Sequence, residues 1–261
     1  MSFVLLVIGF YLWHCFGVTI GLHRLLSHRS FRCSKLLEYQ WVMAAYLAFH
    51  GSPIWWATMH RAHHRHVDTP LDPHAPAYGV LQAYAFYMPF KYADHIDPHK
   101  QSPDLVKDPL YRLLECGGNW RVGYALNVVI CIAFRVALFY LFGWQVALAS
   151  LIAGIIALNV PLILNVVCHI PKLGGRNFET ADDSVNVWWM GLLCLGEGWH
   201  NNHHAHPAAA RSGVRKREFD ASWLIIRTLQ RLSLVTHVNE FASKNRHHSP
   251  DEQDLVFSSS K

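Results

Sequence analysis

The sequence predicts an all-α fold, an integral-membrane helical bundle that carries a cytosolic helical cap. Three observations predict it. Hydrophobic residues make up 52% of the 261-residue chain and charged residues only 16%, against roughly 25% charged in soluble domains. Three apolar runs are each long enough to cross a bilayer. Outside those runs, histidines recur in three clusters, two of them at helical spacing. The formal charge of +5 is modest, no Lys/Arg block is long, and the aromatic residues lie in apolar runs. Nucleic acid is therefore not an expected partner. The six cysteines (Cys15, Cys33, Cys116, Cys131, Cys168, Cys194) form no C-x-x-C pair, which argues against a disulfide framework or a zinc ribbon.

Residues 2–22 form the first expected span. They lack a basic leader and a small-residue cleavage site, so they do not read as a signal peptide. Residues 36–56 are apolar but contain Glu38, Gln40 and His50. A full crossing here would separate the first two histidine clusters across the membrane, so an interfacial helix or shallow hairpin is expected. Residues 57–121, proline-rich from 66 onward, belong to the cap. Residues 122–142 and 145–168 are two further spans joined by a turn at Gly143-Trp144, and 169–261 complete the cap, with Phe219 to Leu234 read as amphipathic or water-facing helix. Of the 23 Lys and Arg, 22 fall within 23–121 or 169–261; the exception, Arg135, is expected to face the bundle or to snorkel. This bias places the histidine side in the cytoplasm. Three crossings leave Met1 on the far side, which points to a further helix upstream.

His200, His203 and His204 stand at i, i+3 and i+4, and so do His60, His63 and His64. On a helix each trio projects from one face and can supply ligands to two neighbouring ions. His23 and His28 are five residues apart, roughly 140° around an α-helix. They either serve different metals or lie where the helix unwinds. Eight such imidazoles exceed what one tetrahedral zinc can use. A ninth candidate, His169, follows Asn165 by four residues at the membrane end of the last span; Asn165 would reach a metal through water. Asp68, Asp72 and Glu197 are the carboxylates expected to orient the imidazoles. His14, His50, His95, His99, His237, His247 and His248 lack the spacing, and His66, His74 and His206 flank the clusters in a supporting role. Spacing leaves zinc, copper, iron and nickel open. Two ions in an all-nitrogen site at a membrane surface suit redox chemistry on an apolar substrate, and O2-activating iron matches best, because no side chain oxidises an alkyl C–H bond.

These residues resemble the integral-membrane fatty acid desaturases of the stearoyl type. The likeness rests on the boxes His23-x4-His28, His60-x-x-His63-His64 and His200-x-x-His203-His204, on Asn165-x3-His169, on Gly196-Glu197-Gly198-Trp199-His200, and on Phe219-Asp220-x-Ser222-Trp223. The resemblance implies a di-iron centre ligated by the nine histidines, with Asn165 acting through water. O2 would be the co-substrate and two electrons would come from a separate donor (ferredoxin, cytochrome b5 or a similar reductase chain). A cis double bond, commonly Δ9, would enter a saturated acyl chain held in a membrane tunnel, with Tyr11 at its far end. The family usually has four spans, and one precedes the first box here. Thr58-Met59 replaces the Arg-Asp of animal acyl-CoA enzymes, and Pro53-Ile54-Trp55-Trp56 looks like the bacterial branch, so acyl-lipid and acyl-CoA both stand as substrates. Two other readings remain: a hydroxylase of an alkane, sterol or carotenoid, separated by alkene against alcohol products, and a histidine-rich metal-binding or transport protein. Transporters place polar ligands mid-span, whereas these histidines gather at the span ends.

Overall fold

The computed structural model describes residues 2–76, 79–85 and 96–241. Among them three helices are long and apolar enough to cross a membrane: Phe3–Ser27, Trp120–Phe142 and Trp144–Val167. The first begins as α1 (Phe3–Phe16), capped by Ser2, and continues as a π-helical segment, Gly17–Ser27. It thus runs past Leu22, where the apolar stretch ends, and carries the first histidine pair on helical backbone to its last turn.

Lys35–Tyr46 (α2) and Pro53–His66 (α3) follow, joined by a turn through 47–52. At 12 residues, α2 is roughly 18 Å long, too short to cross a bilayer. It lies along the π-helical segment, and glycines permit the approach: a Cβ on Gly17 would meet Ala45 N at 2.4 Å, and one on Gly21 would meet the Trp41 carbonyl carbon at 2.9 Å. α3 starts where Ser52 accepts from the Ile54 and Trp55 N–H groups and Pro53 supplies the first helical residue, a strong N-terminal signal.

The cap continues with short helices α4 (Val80–Ala85), α5 (Pro98–Gln101) and α6 (Pro109–Leu114). Then come α7 (Trp120–Phe142) and α8 (Trp144–Val167), an antiparallel pair turning at Gly143. α8 packs against both α7 and α1. Pro161 inside α8 has no N–H to give the Ala157 carbonyl. His50 Nε2, 3.2 Å from that carbonyl oxygen, satisfies it instead, so a histidine outside the clusters has a structural task. Arg135 of α7 faces the bundle: it donates to the Cys131 and Ser150 carbonyls at 3.0 and 3.3 Å and lies over the Phe49 ring. The chain returns through α9 (Trp188–Leu193), α10 (His200–Ala205) and the amphipathic α11 (Ala221–Arg231). A two-stranded ribbon pairs β1 (Arg32–Cys33) with β2 (Val235–Thr236), fastening the end of the cap to the segment just after the first histidine pair.

Candidate metal centre

Each histidine cluster is delivered by its own backbone device. In the π-helical segment hydrogen bonds run i→i+5, and the His28 N–H donates to the His23 carbonyl at 3.1 Å. Residues five apart therefore lie close in azimuth. The reading that His23 and His28 serve different metals is overturned, and the helix end widens rather than unwinding. His60, His63 and His64 sit on the last turns of α3, and His200, His203 and His204 on α10. The chain before α10 crosses α9 so closely that a Cβ on Gly198 would stand 2.0 Å from Gly191 N. His169 lies just beyond the end of α8.

The nine imidazoles come from four separated stretches of chain and meet in two adjoining groups. His23, His28, His60, His64 and His203 form one; His63, His169, His200 and His204 form the other. In the first, Nε2 atoms face each other: His28–His60 at 2.8 Å, His64–His203 at 2.9 Å, His60–His64 and His23–His203 at 3.1 Å. In the second, His169 Nε2 faces His200 Nε2 at 3.2 Å. The groups touch through His64 and His204, whose ring centroids are 4.6 Å apart.

Carboxylates fix which nitrogen is bare. His63 Nδ1 donates to Asp72 at 3.0 Å, His169 Nδ1 to Asp68 at 3.0 Å, and His204 Nδ1 to Asp182 at 3.1 Å. Each of these rings keeps its proton on Nδ1 and turns a lone pair inward at Nε2. His63 Nε2 and His204 Nε2 are buried without any hydrogen-bond partner. Orphaned, converging lone pairs are unfavourable unless a cation lies between them. Two imidazole nitrogens bound at about 2.1 Å to one ion, at right angles, are about 3.0 Å apart, which is the spacing seen. The residues thus fit transition-metal ions. Burial first, then neighbouring imidazoles, push the pKa of His28, His60, His63, His64, His200 and His203 well below the ordinary histidine value, keeping them in the neutral form that binds metal.

Of the expected orienting carboxylates, Asp68 and Asp72 bond His169 and His63, and Glu197 Oε2 lies 2.8 Å from His23 Nδ1, off the axis of a hydrogen bond. Two partners were missed. Asp182 stands in a loop with no periodic relation to any histidine; the acidic pair Asp182-Asp183 between His169 and the third box was its one trace. Arg24, inside the first box, is fully buried and donates to Glu197 and Asp220, both at 3.0 Å. His74 stacks on His63 with centroids 4.1 Å apart. His95, His247 and His248 lie outside the described residues.

A cleft leads from the histidines into the bundle between α1 and α8. His23, His60, His200, Glu197 and Asn165 line its polar end, while Cys15, Val18, Ala157, Val160 and Leu164 line its apolar body. Trp56, stacked on His60 at 5.2 Å, forms part of its wall. Tyr11 is one helical turn beyond Cys15, and its hydroxyl donates to the Leu193 carbonyl at 2.6 Å.

Comparison with known proteins agrees with this geometry. The fatty acid desaturase family model matches residues 1–218. The chain is 36% identical over 223 residues to the sn-1 stearoyl-lipid 9-desaturase of Anabaena variabilis, spanning 85% of this chain and 78% of that one. It is 36% identical to the sn-2 palmitoyl-lipid 9-desaturase of Nostoc sp. (strain 36), over 90% of this chain and 80% of the relative. It is also 36% identical to an acyl-CoA C20 Delta5-desaturase of Anemone leveillei, over 85% of this chain and 69% of the relative. The chain belongs to the fatty acid desaturase family, in the stearoyl-type branch that these cyanobacterial enzymes represent.

Proposed function

We propose that this enzyme inserts a cis double bond, at the Δ9 position, into a saturated acyl chain carried by a membrane lipid, using a di-iron centre held by the nine histidines. The observation that carries the reading is the cleft: an apolar channel between two membrane-length helices that ends on imidazoles of both groups. Two irons bound there would supply the reduction of O2 to water, with two electrons from a separate donor, that removes one hydrogen from each of two adjacent carbons.

The chain's own residues do the rest. The cleft body takes the alkyl chain out of water and fixes which carbons lie beside His23, His60 and His200. Tyr11, tied to Leu193, closes the far end and limits how much chain can pass. Asp68, Asp72 and Asp182 orient imidazoles, Glu197 stands beside His23, and Asn165 faces the same space, where it would reach a metal through water. Thr58 and Met59 are buried, and Thr58 donates to Ser102 at 3.0 Å. They offer no charged handle for a CoA group, which supports a lipid carrier. The enzyme is multi-pass, with the histidine face cytoplasmic, where a ferredoxin or cytochrome b5 chain docks to deliver electrons.

The test is expression in a host that lacks unsaturated fatty acids, followed by fatty-acid analysis of its lipids. A new cis double bond is expected, and a His203→Ala variant should abolish it. Wild-type product from that variant would refute the metal assignment.

A further inference from the structure

The two histidine groups differ in the charge behind them. In the four-histidine group three of the imidazoles back onto carboxylates, Asp68, Asp72 and Asp182. No Lys or Arg pairs with those carboxylate oxygens among the described residues; backbone N–H groups, with the Thr180 hydroxyl at Asp182, complete their hydrogen bonding. In the five-histidine group only His23 has a carboxylate within ion-pair distance, among the described residues. That carboxylate, Glu197, is off the ring's N–H axis and is paired with Arg24, a guanidinium it shares with Asp220. Arg61, one residue beyond His60, lies near His28 with its guanidinium paired to Asp104.

An imidazole that donates to an uncompensated carboxylate is the stronger electron donor, and such outer partners typically govern metal affinity by about 10–100-fold each. We propose that the two metal positions are unequal by construction: the four-histidine group, braced by three uncompensated carboxylates, holds iron more tightly and is the first to load, while the five-histidine group holds the exchangeable iron. Asp68, Asp72 and Asp182 are thus positioning residues that act through His169, His63 and His204. This rests on the di-iron reading above.

The test is iron withdrawal from the purified, iron-loaded full chain by a ferrous bipyridyl chelator, followed by absorbance. Two phases of one iron each are expected. His64→Ala should remove the fast phase alone and His200→Ala the slow phase alone, which assigns them. Asp182→Asn is isosteric and still accepts from His204, so it removes charge and keeps geometry. It should speed the slow phase by roughly 10–100-fold and leave the fast phase unchanged, whereas Glu197→Gln should alter only the fast one. Asp68→Asn repeats the test should Asp182→Asn fail to fold, judged by circular dichroism. A single phase releasing both irons, or an Asp182→Asn effect on the fast phase, would overturn the inequality while the dinuclear reading stands. A wild-type chain that carries fewer than two irons would instead sink the dinuclear reading itself.

Discussion

Glu115 provides a quantitative test of how the helix bearing the second histidine box is held. It is 2% exposed, accepts from the Ser52 hydroxyl at the start of α3, and lies just ahead of α7. Burial pushes its carboxyl up to about 8, with the Trp55 N–H pulling weakly the other way. The proton is therefore held more tightly in the folded chain than in the unfolded one, where a glutamate titrates near 4.3. The sign follows from linkage: stability is greatest below about pH 4.3, falls as the unfolded state ionises, and levels off above about pH 8. At 1.36 kcal/mol per pH unit the penalty is about 3–4 kcal/mol at pH 7 and about 5 kcal/mol above pH 8. Glu115→Gln keeps a hydrogen-bonding partner for Ser52 and abolishes the titration. Thermal unfolding of the wild type and the variant in detergent, at matched scan rates from about pH 4.5 to 9, should give nearly equal midpoints in acid. At neutral pH the variant should be more stable by roughly 6–16 °C, at 2–4 °C per kcal/mol. A difference between the two proteins that does not change with pH, or a variant less stable at every pH, would refute the claim that burial dominates this carboxyl.

Tyr11→Ala should lengthen the preferred acyl chain if Tyr11 closes the cleft beyond Cys15, as proposed; unchanged chain-length selectivity in lipid analysis would remove Tyr11 from the tunnel. Gly198→Ala should cost about 1–3 kcal/mol or more, since its Cβ would overlap the backbone of Gly191, and the variant should show lower yield and iron content after detergent extraction. Single-cysteine labelling in a cysteine-free background should modify residues of the 215–217 loop only from the cytoplasmic side and Trp144→Cys only from the opposite side. The reverse pattern would invert the topology.

The parts of the site that repeat along a helix were legible, and the parts that depend on tertiary placement were not. Spacing alone put His60, His63, His64, His200, His203 and His204 on two helical faces, and the structure divides each trio between the two groups. The pairing of His23 with His28 was misjudged because an α-helical period was assumed. The π-helical register arises where Gly17 and Gly21 let α2 approach closely, a contact invisible in local sequence. Asp68 and Asp72 were found because they follow the second box on the same short stretch. Asp182 reaches His204 across 22 positions, and nothing in its neighbourhood announces it. Arg24 reads as one more basic residue beside a histidine, and only the fold shows it gripping Glu197 and Asp220 from elements more than 170 residues away.

The same lone pairs that mark the site would make a bound metal part of the protein's stability. Without ions, His63 Nε2 and His204 Nε2 are buried and unsatisfied, at about 1–3 kcal/mol each. Iron bound there would relieve this and would add its own linkage, about 2.7 kcal/mol per site at a hundredfold excess over Kd. Acid works against both terms. Six of the box histidines have pKa values held well below the ordinary value, chiefly by burial, so the folded chain resists protons that the unfolded chain accepts below about pH 6.5. Stability is then fully present above that pH and is lost as pH falls, at up to about 1.4 kcal/mol per unit for each imidazole. Chelation at neutral pH should lower the unfolding midpoint, added iron should restore it, and acidification below about pH 6 should release iron and destabilise the cap together. A chelated protein with the midpoint of the loaded one would mean that the nine imidazoles are content without a cation, and the inference from their bare nitrogens to a metal would fail.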